Sequence, residues 1–471
     1  MRNFEEMFEQ LTGHKPFPWQ KRLYEKFCRG EIPTNCNIPT GLGKTSVVAV
    51  WLLALAGRDA GVQLPRRLVY VVNRRTIVDQ STEVVIELCK RLKEVGQDIS
   101  SPLNGVIKTL KDMCAVGNSD GDLLSISTLR GELADNLQWR FDPTRPSVMI
   151  GTVDMIGSKL LFSGYGDTRR TKPLNAGLIG CDTLIVHDEA HLTPAFSLLL
   201  RSVEDFQRKV NNIPGIPPFR VLELSATSRQ TGKCSFQIDN TDYSDQEISK
   251  RFHAKKKLYL HEIETPGELA EKIVSLASKY NDDKKTVVIF VQSPEEAVKV
   301  HKWLIECLCK KAEEKWRKEN NTMRIPKKEK EALNNRCQEN VSILTGEIRG
   351  YERDKLLNNT GMLPFTGKKS PEQTVYLVST SAGEVGMDLH ADHMVSDLST
   401  LDSMIQRLGR VNRFGQTEAR VDVVYCEALN KEEKKIQADS NEKEEATSED
   451  EEKSESAKTK NPSSTGIFLY S

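Results

Sequence analysis

Two α/β halves in tandem, each a parallel sheet flanked by helices, are what this sequence predicts. Three observations predict them. Short, wholly apolar runs of strand length recur with helical stretches between them, the signature of parallel strands buried on both faces. The pattern restarts after residue 265 without close repetition of sequence, as two domains of one architecture would. A glycine loop, Gly41-Leu42-Gly43-Lys44-Thr45, stands directly between the first strand and a helix.

The elements follow in order. Residues 1–35 read as a helical lead-in ending at Pro33. An apolar strand then enters the glycine loop, and a helix follows through Val47-Val48-Ala49-Val50-Trp51-Leu52-Leu53. Leu68 to Val72, Ser147 to Ile150, Thr183 to Val186 and Arg220 to Leu224 read as buried parallel strands. In the second half, Thr286 to Val291 is a strand and Pro294 to Cys309 a helix. Strands over Val341 to Leu344, Thr374 to Val378 and Val421 to Tyr425 complete it. The expected domains are 1–264 and 265–428, with 429–471 as a tail or linker.

The 471 residues suffice for two or three domains, and their net charge is zero. That balance does not announce a nucleic-acid partner, but it hides a gradient. Residues 431–460 hold 11 acidic and 7 basic residues and almost no apolar ones, so a disordered, solvated tail is expected there. Residues 310–336 hold 10 basic and 5 acidic residues. A solvated helix and loop is the favoured reading of that insertion, and a phosphate-contacting one the sharper alternative. No apolar run reaches the ~20 residues of a membrane span, and the start lacks the apolar core of a signal peptide. The expectation is a cytoplasmic protein with no membrane contact. The ten cysteines include no Cys-x-x-Cys pair, which fits free thiols of a reducing compartment rather than a zinc site.

The chemistry begins at the glycine loop. Backbone N–H groups of such a loop converge on phosphate oxygens, and glycines allow the close approach. Thr40, Gly41, Leu42, Gly43, Lys44, Thr45 and Ser46 are the expected nucleotide-binding residues, with Lys44 on the β and γ phosphates. Thr45 offers a hydroxyl to Mg²⁺. Ile38 stands where the general pattern has its first glycine, so the loop is a variant. Asp188 and Glu189 end the run Thr183 to Val186, at the strand edge where ligands bind in open α/β sheets. Asp188 can join the Mg²⁺ shell, and Glu189 can orient and deprotonate an attacking water. In Gln406 to Arg413, Arg410 and Arg413 are spaced i,i+3, which would place both on one helix face. Facing a nucleotide on the first domain, they would stabilise charge on the transferring phosphoryl group. ATP would then sit between the halves, and its hydrolysis would open and close the cleft.

This ordered set resembles the superfamily 2 helicases with two tandem RecA-like domains, over roughly residues 15–428. Asp188-Glu189-Ala190-His191 resembles the DEAH box, and Ser225-Ala226-Thr227 the coupling motif. Ser379 to Asp388 and Gln406 to Arg413 are similar to motifs V and VI. The resemblance implies that His191, Ser225 and Thr227 couple nucleotide state to nucleic acid. It adds Gly386, Asp388 and Gln406 to the nucleotide-binding set, and Gln20 of Pro18-Trp19-Gln20 as a reader of the adenine edge.

Three segments narrow the likeness to the Cas3 helicases of type I CRISPR systems, in particular the I-G (I-U) branch. They are Ile38 to Thr45, Val72 to Gln80 and Gln406 to Arg413. That family implies 3′-to-5′ movement on single-stranded DNA delivered by an RNA-guided, Cascade-type surveillance complex. Arg74, Arg75, Thr152, Thr345 and Thr380 would line the DNA path, mainly through phosphates. Cas3 proteins carry an HD nuclease, fused or separate. The one His-Asp pair among the eight histidines, His187-Asp188, belongs to the DEAH box, so the nuclease is expected elsewhere. Alternatives left open by the motifs are a superfamily 2 motor on RNA or in repair, and an ATP-gated clamp that does not unwind.

Overall fold

The structure is a computed structural model. It describes residues 3–95, 100–115, 123–129, 138–210, 216–225, 235–281, 283–346, 355–356, 359, 361–367, 369–384 and 389–426. The expected tail at 429–471 and the expected site residues Thr227, Gly386 and Asp388 lie outside them.

Two parallel sheets with helices around them form the molecule, the tandem RecA-like arrangement expected. The first sheet contains β1 (Asn35–Asn37), β2 (Arg67–Val72), β3 (Ser125–Leu129), β4 (Ser147–Thr152), β5 (Thr183–Asp188), β6 (Arg220–Ser225) and β7 (Ser235–Gln237). Their order across the sheet is β3-β4-β2-β5-β6-β1-β7. The second sheet contains β8 (Lys256–Ile263), β9 (Thr286–Phe290), β10 (Val341–Leu344), β11 (Val375–Ser379), β12 (His393–Asp397) and β13 (Ala419–Cys426), in the order β10-β11-β9-β12-β13-β8.

The central strands β2, β4 and β9 are buried at every residue, which is why they read as unbroken apolar runs. The helix Val47–Gly57 is apolar all round and buried from Val47 to Ala56, so it has no polar face to offer solvent. Strands that the sequence does not announce have other patterns. β3 alternates buried and half-buried residues, β7 is three residues long, and β8 is exposed over most of its length. β12 is central, yet it carries His393, Ser396 and Asp397. β8 lies before the expected division at 264/265, but it pairs along its whole length with β13 of the second sheet.

The basic stretch 310–336 divides between two helices. Pro294–Glu319 runs ten residues past the expected end at Cys309, and Lys327–Glu339 follows after a short connection. Glu313 pairs with Arg317 at 3.0 Å and with Lys330 at 3.2 Å, joining the two. No helix among the described residues is long and apolar enough to cross a membrane.

Candidate functional site

The sheet order builds the first half of the site. β6 lies between β1 and β5, with Ser225 level with Asn37 and Leu224 level with Asp188. The glycine loop and the acidic pair therefore leave neighbouring carboxyl ends of one sheet. Gly41 and Gly43 have φ of +87° and +75°, a backbone region that L side chains rarely adopt. The loop then tightens through a 3₁₀ turn, Lys44–Ser46, into the buried helix.

The lead-in holds this loop from outside. The buried Trp19 donates its indole N–H to the Leu42 carbonyl at 3.2 Å. Gln20 accepts from the Phe17 backbone at 2.7 Å through Oε1 and donates to Ser46 Oγ at 2.6 Å through Nε2. One end of its amide thus caps the start of its own helix, and the other ties the lead-in to the loop.

Lys44 reaches Glu189, with Nζ 3.0 Å from Oε1. The Tyr70 hydroxyl donates to Asp188 at 2.8 Å and lies near Thr45, so Thr45 and Asp188 adjoin one phenol. Burial, and then the neighbouring Glu189 charge, push Asp188 up to about 6. Two carboxylates beside one lysine leave excess negative charge in a buried place. A divalent cation would balance it, and the Thr45 hydroxyl and Asp188 carboxylate are the hard oxygen donors that suit Mg²⁺.

Glu189 stands at φ +49°, held where the strand turns into the 3₁₀ turn Ala190–Leu192. His191 Nδ1 is 3.5 Å from Glu189 Oε2 and 3.4 Å from Ser225 Oγ, linking the acid to the end of β6. His187 bonds Thr193 at 2.9 Å and Ser197 at 3.2 Å, and burial lowers its pKa to about 4, favouring the neutral ring. Thr193 in turn donates to Asn73 at 3.2 Å, in the turn that leads to Arg74.

The second domain closes the site. Here one expectation is corrected: Arg410 and Arg413 do not share a helix face. The helix Leu401–Leu408 ends before them. Val411 bridges to Ala391, and Asn412 turns the chain at φ +43°, accepted because its buried amide bonds the Lys255 carbonyl at 3.2 Å. Loop geometry, rather than helical periodicity, aims the two arginines. A Cβ on Gly41 would lie 3.0 Å from Arg413 Nε, and one on Gly409 would lie 2.6 Å from Thr40 Oγ1. The loop carrying Arg410 and Arg413 and the glycine loop are thus in direct apposition. Arg410 donates from Nε to the Glu384 carbonyl at 2.9 Å; burial lowers its pKa to about 10, against the attraction of Glu189. Arg413 is also lowered, by burial and by the Arg251 charge. Gln406 is buried one turn before Arg410.

The same motif contains a residue of a different kind. Arg407, 1% exposed, donates to Glu384 Oε1 and to Asp397 Oδ1, each at 2.7 Å, and to Ser396 Oγ at 2.7 Å. It locks the helix to β12 rather than facing the cleft.

The expected strand contacts collect beside this machinery. Arg74 and Arg75 follow β2 and Thr152 ends β4, its neighbour in the sheet. Thr345 follows β10 and Thr380 follows β11, again neighbours, with the Thr380 N–H on the Leu344 carbonyl at 3.2 Å. Arg74 donates to the Ser381 carbonyl at 2.5 Å, joining the two groups across the domains. Arg75 is exposed. Thr152 is buried and its hydroxyl accepts from Met155 N at 3.4 Å, capping the helix Val153–Leu160. Side chains that the sequence did not single out are Tyr70, Glu384, Asp397 and Arg251. Glu384 lies within the segment similar to motif V, but no local pattern marks the other three, because each works through a partner distant in sequence.

Comparison with known proteins divides along the same line. The family model "Type III restriction enzyme, res subunit" matches residues 13–230, and "CRISPR-associated nuclease/helicase Cas3, C-terminal" matches residues 283–416. No curated protein matches the chain. Among solved structures, the Mycobacterium smegmatis helicase Lhr bound to single-stranded DNA and AMP-PNP is similar over 89% of this chain and 47% of its own, at 15% identity and a TM-score of 0.51. The DUF1998 helicase MrfA bound to DNA matches over 89% and 48%, at 15% identity and 0.55. Mss116p bound to single-stranded RNA and AMP-PNP matches over 90% and 73%, at 15% and 0.53. The chain spans about half the length of the first two. The solved structures share the fold of the two domains; the first domain is similar to the restriction-subunit model and the second to the Cas3 C-terminal model.

Proposed function

We propose that this chain is an ATP-driven motor that moves 3′ to 5′ on single-stranded DNA in type I CRISPR interference, in the cytoplasm. The observation that carries the motor is the meeting of the two loops: Arg413 stands against Gly41 while Lys44 and Glu189 pair beneath. The Cas3-like match of the second domain supports the CRISPR setting. In this reading an RNA-guided surveillance complex delivers the DNA, and an HD nuclease domain or protein elsewhere cuts it.

Each side chain then has a task. The glycine-loop N–H groups and Lys44 hold the phosphates, and binding a triphosphate draws Lys44 away from Glu189. The freed Glu189 carboxylate orients the attacking water and takes its proton. Thr45 and Asp188 would hold Mg²⁺, which supplies positive charge to the phosphates when bound. Arg410 and Arg413 face the charge that develops on the transferring group. Gly386, Asp388, Gln406 and Gln20 complete the nucleotide contacts. His191 and Ser225, with Thr227, pass the nucleotide state to the strand contacts at Arg74, Arg75, Thr152, Thr345 and Thr380.

A strand-displacement assay tests this, comparing 3′-tailed DNA, 5′-tailed DNA and RNA duplexes, with Glu189→Gln as control. Displacement confined to 3′-tailed DNA is the expected result. Activity on RNA alone would point to an RNA motor. DNA-stimulated hydrolysis without displacement would make the chain an ATP-gated clamp.

A further inference from the structure

The basic stretch 310–336 takes no part in the motor described above, yet it has a definite place in the second domain. The helix Pro294–Glu319 begins just past β9, at the carboxyl edge of the second sheet, and runs back toward the amino edge. Its 26 residues span about 39 Å, against about 17 Å for the five residues of β9. Its second half therefore projects beyond the amino edge. The helix Lys327–Glu339 returns alongside it, making a hairpin. The base of the hairpin is pinned at that edge. Lys311 donates to the Ser278 carbonyl at 2.7 Å, ahead of β9. Arg336 and Asn340 donate to Gln373 Oε1 at 2.7 and 3.0 Å, just ahead of β11. Thr345 and Thr380 follow β10 and β11, so the expected single-strand contacts lie at the opposite edge.

The charges of the hairpin are sorted. Glu313 is held between the two helices by Arg317 and Lys330. Lys310, Lys318, Arg324, Lys327 and Lys328 are exposed. From Lys310 to Lys328 the chain carries eight basic residues and three acidic ones. Lys311, Lys315 and Lys318 recur at helical spacing and, with Lys279, line a recess of about 360 Å³ that also holds Glu314 and Glu319. Beyond the half-buried Trp316 the hairpin has no aromatic residue.

We propose that this hairpin holds the phosphate backbone of a nucleic-acid duplex, on the side of the second domain away from the single-strand path. Exposed lysine and arginine in excess match a polyanion, and each phosphate neutralised releases counterions. A single strand is gripped by stacking its bases on aromatic rings, which the hairpin lacks. A duplex turns its bases inward and presents phosphates, and contacts to these position it without reading its sequence.

The test is equilibrium binding of the 471-residue chain to a blunt DNA duplex, a blunt RNA duplex and single-stranded DNA, over a series of salt concentrations. No ATP is present, so the outcome is independent of the motor. Lys318→Ala, Lys327→Ala and Lys328→Ala together are expected to lower the salt slope for a DNA duplex by about 2.7 and to weaken its binding at least about tenfold. A larger loss on the RNA duplex would make RNA the source of the same backbone. Single-strand binding, and ATP hydrolysis without nucleic acid, are expected to stay at wild-type levels. Lys327→Glu with Lys328→Glu is the second variant. Acids in the first turn of a helix are favoured by its dipole, so this variant is expected to melt no lower than wild type while losing duplex binding. A purely structural role for these lysines would not separate the two readouts. Unchanged duplex slopes in the folded variants overturn the proposal. An equal fall in the single-strand slope overturns it too, by placing the hairpin on the strand path. Loss of poly-glutamate binding with duplex binding retained would make the hairpin a dock for an acidic protein, and would also overturn it.

Discussion

The carboxyl edges of the sheets carry two working regions, and they are built differently. On the nucleotide side, Lys44, Glu189, Asp188, Arg410 and Arg413 are held in buried pairs and against strained backbone. On the side facing the expected strand path, Arg75 is exposed, and Thr152 and Thr380 present little but backbone and a helix cap. Phosphoryl transfer demands charges fixed in advance, because reorganising them costs rate. A strand that must slide demands contacts that are individually weak and many. The contrast between the two regions is what a stepping motor requires.

Substitutions should reproduce that contrast. Arg413→Ala is expected to lower kcat for ATP by about 10³-fold, as loss of an arginine finger does, with ATP affinity little changed; steady-state hydrolysis checks this. Arg407→Ala, in the same motif, is expected to act on stability instead. It strands Glu384 and Asp397 as buried carboxylates, costing about 3–5 kcal/mol, and thermal melting should show a drop of ~10 °C. If Arg407→Ala melts normally but hydrolyses slowly, the division of roles within the motif is wrong. Glu189→Gln is expected to lower hydrolysis by on the order of 10²–10³-fold while ATP still binds, read by single-turnover kinetics. On the strand side the effects shrink. Arg75→Ala should leave hydrolysis without nucleic acid unchanged and reduce the salt slope of single-strand binding by about 0.7. Thr152→Val should cost about 1 kcal/mol of stability through the lost cap, whether or not a strand is bound.

The nucleotide side was the more legible region in the sequence. Its residues are consecutive, because a phosphate loop and a strand-end acid pair are local devices; the acids end the buried strand β5, whereas the strand before the loop, Asn35–Asn37, is short and polar rather than the apolar one expected. The edges were harder. β8 exposes Leu258, Tyr259 and Leu260, so no burial pattern announces it, and its place beside β13 depends on a partner more than 150 residues away. The i,i+3 spacing of Arg410 and Arg413 suggested a helix that Gly409 and the left-handed Asn412 end. Arg251 was invisible for the same physical reason: its neighbours Phe17, Gly41 and Phe414 are distant in sequence, and only packing brings them to it.

The central claim is that the two regions form one machine, joined through Glu189, His191, Ser225 and the Arg74–Ser381 contact. The most direct measurement is the rate of ATP hydrolysis by the wild-type chain with and without single-stranded DNA, at saturating ATP. The account predicts a rate that rises with DNA and is lost in Glu189→Gln. A wild-type rate that is the same with and without DNA would contradict it.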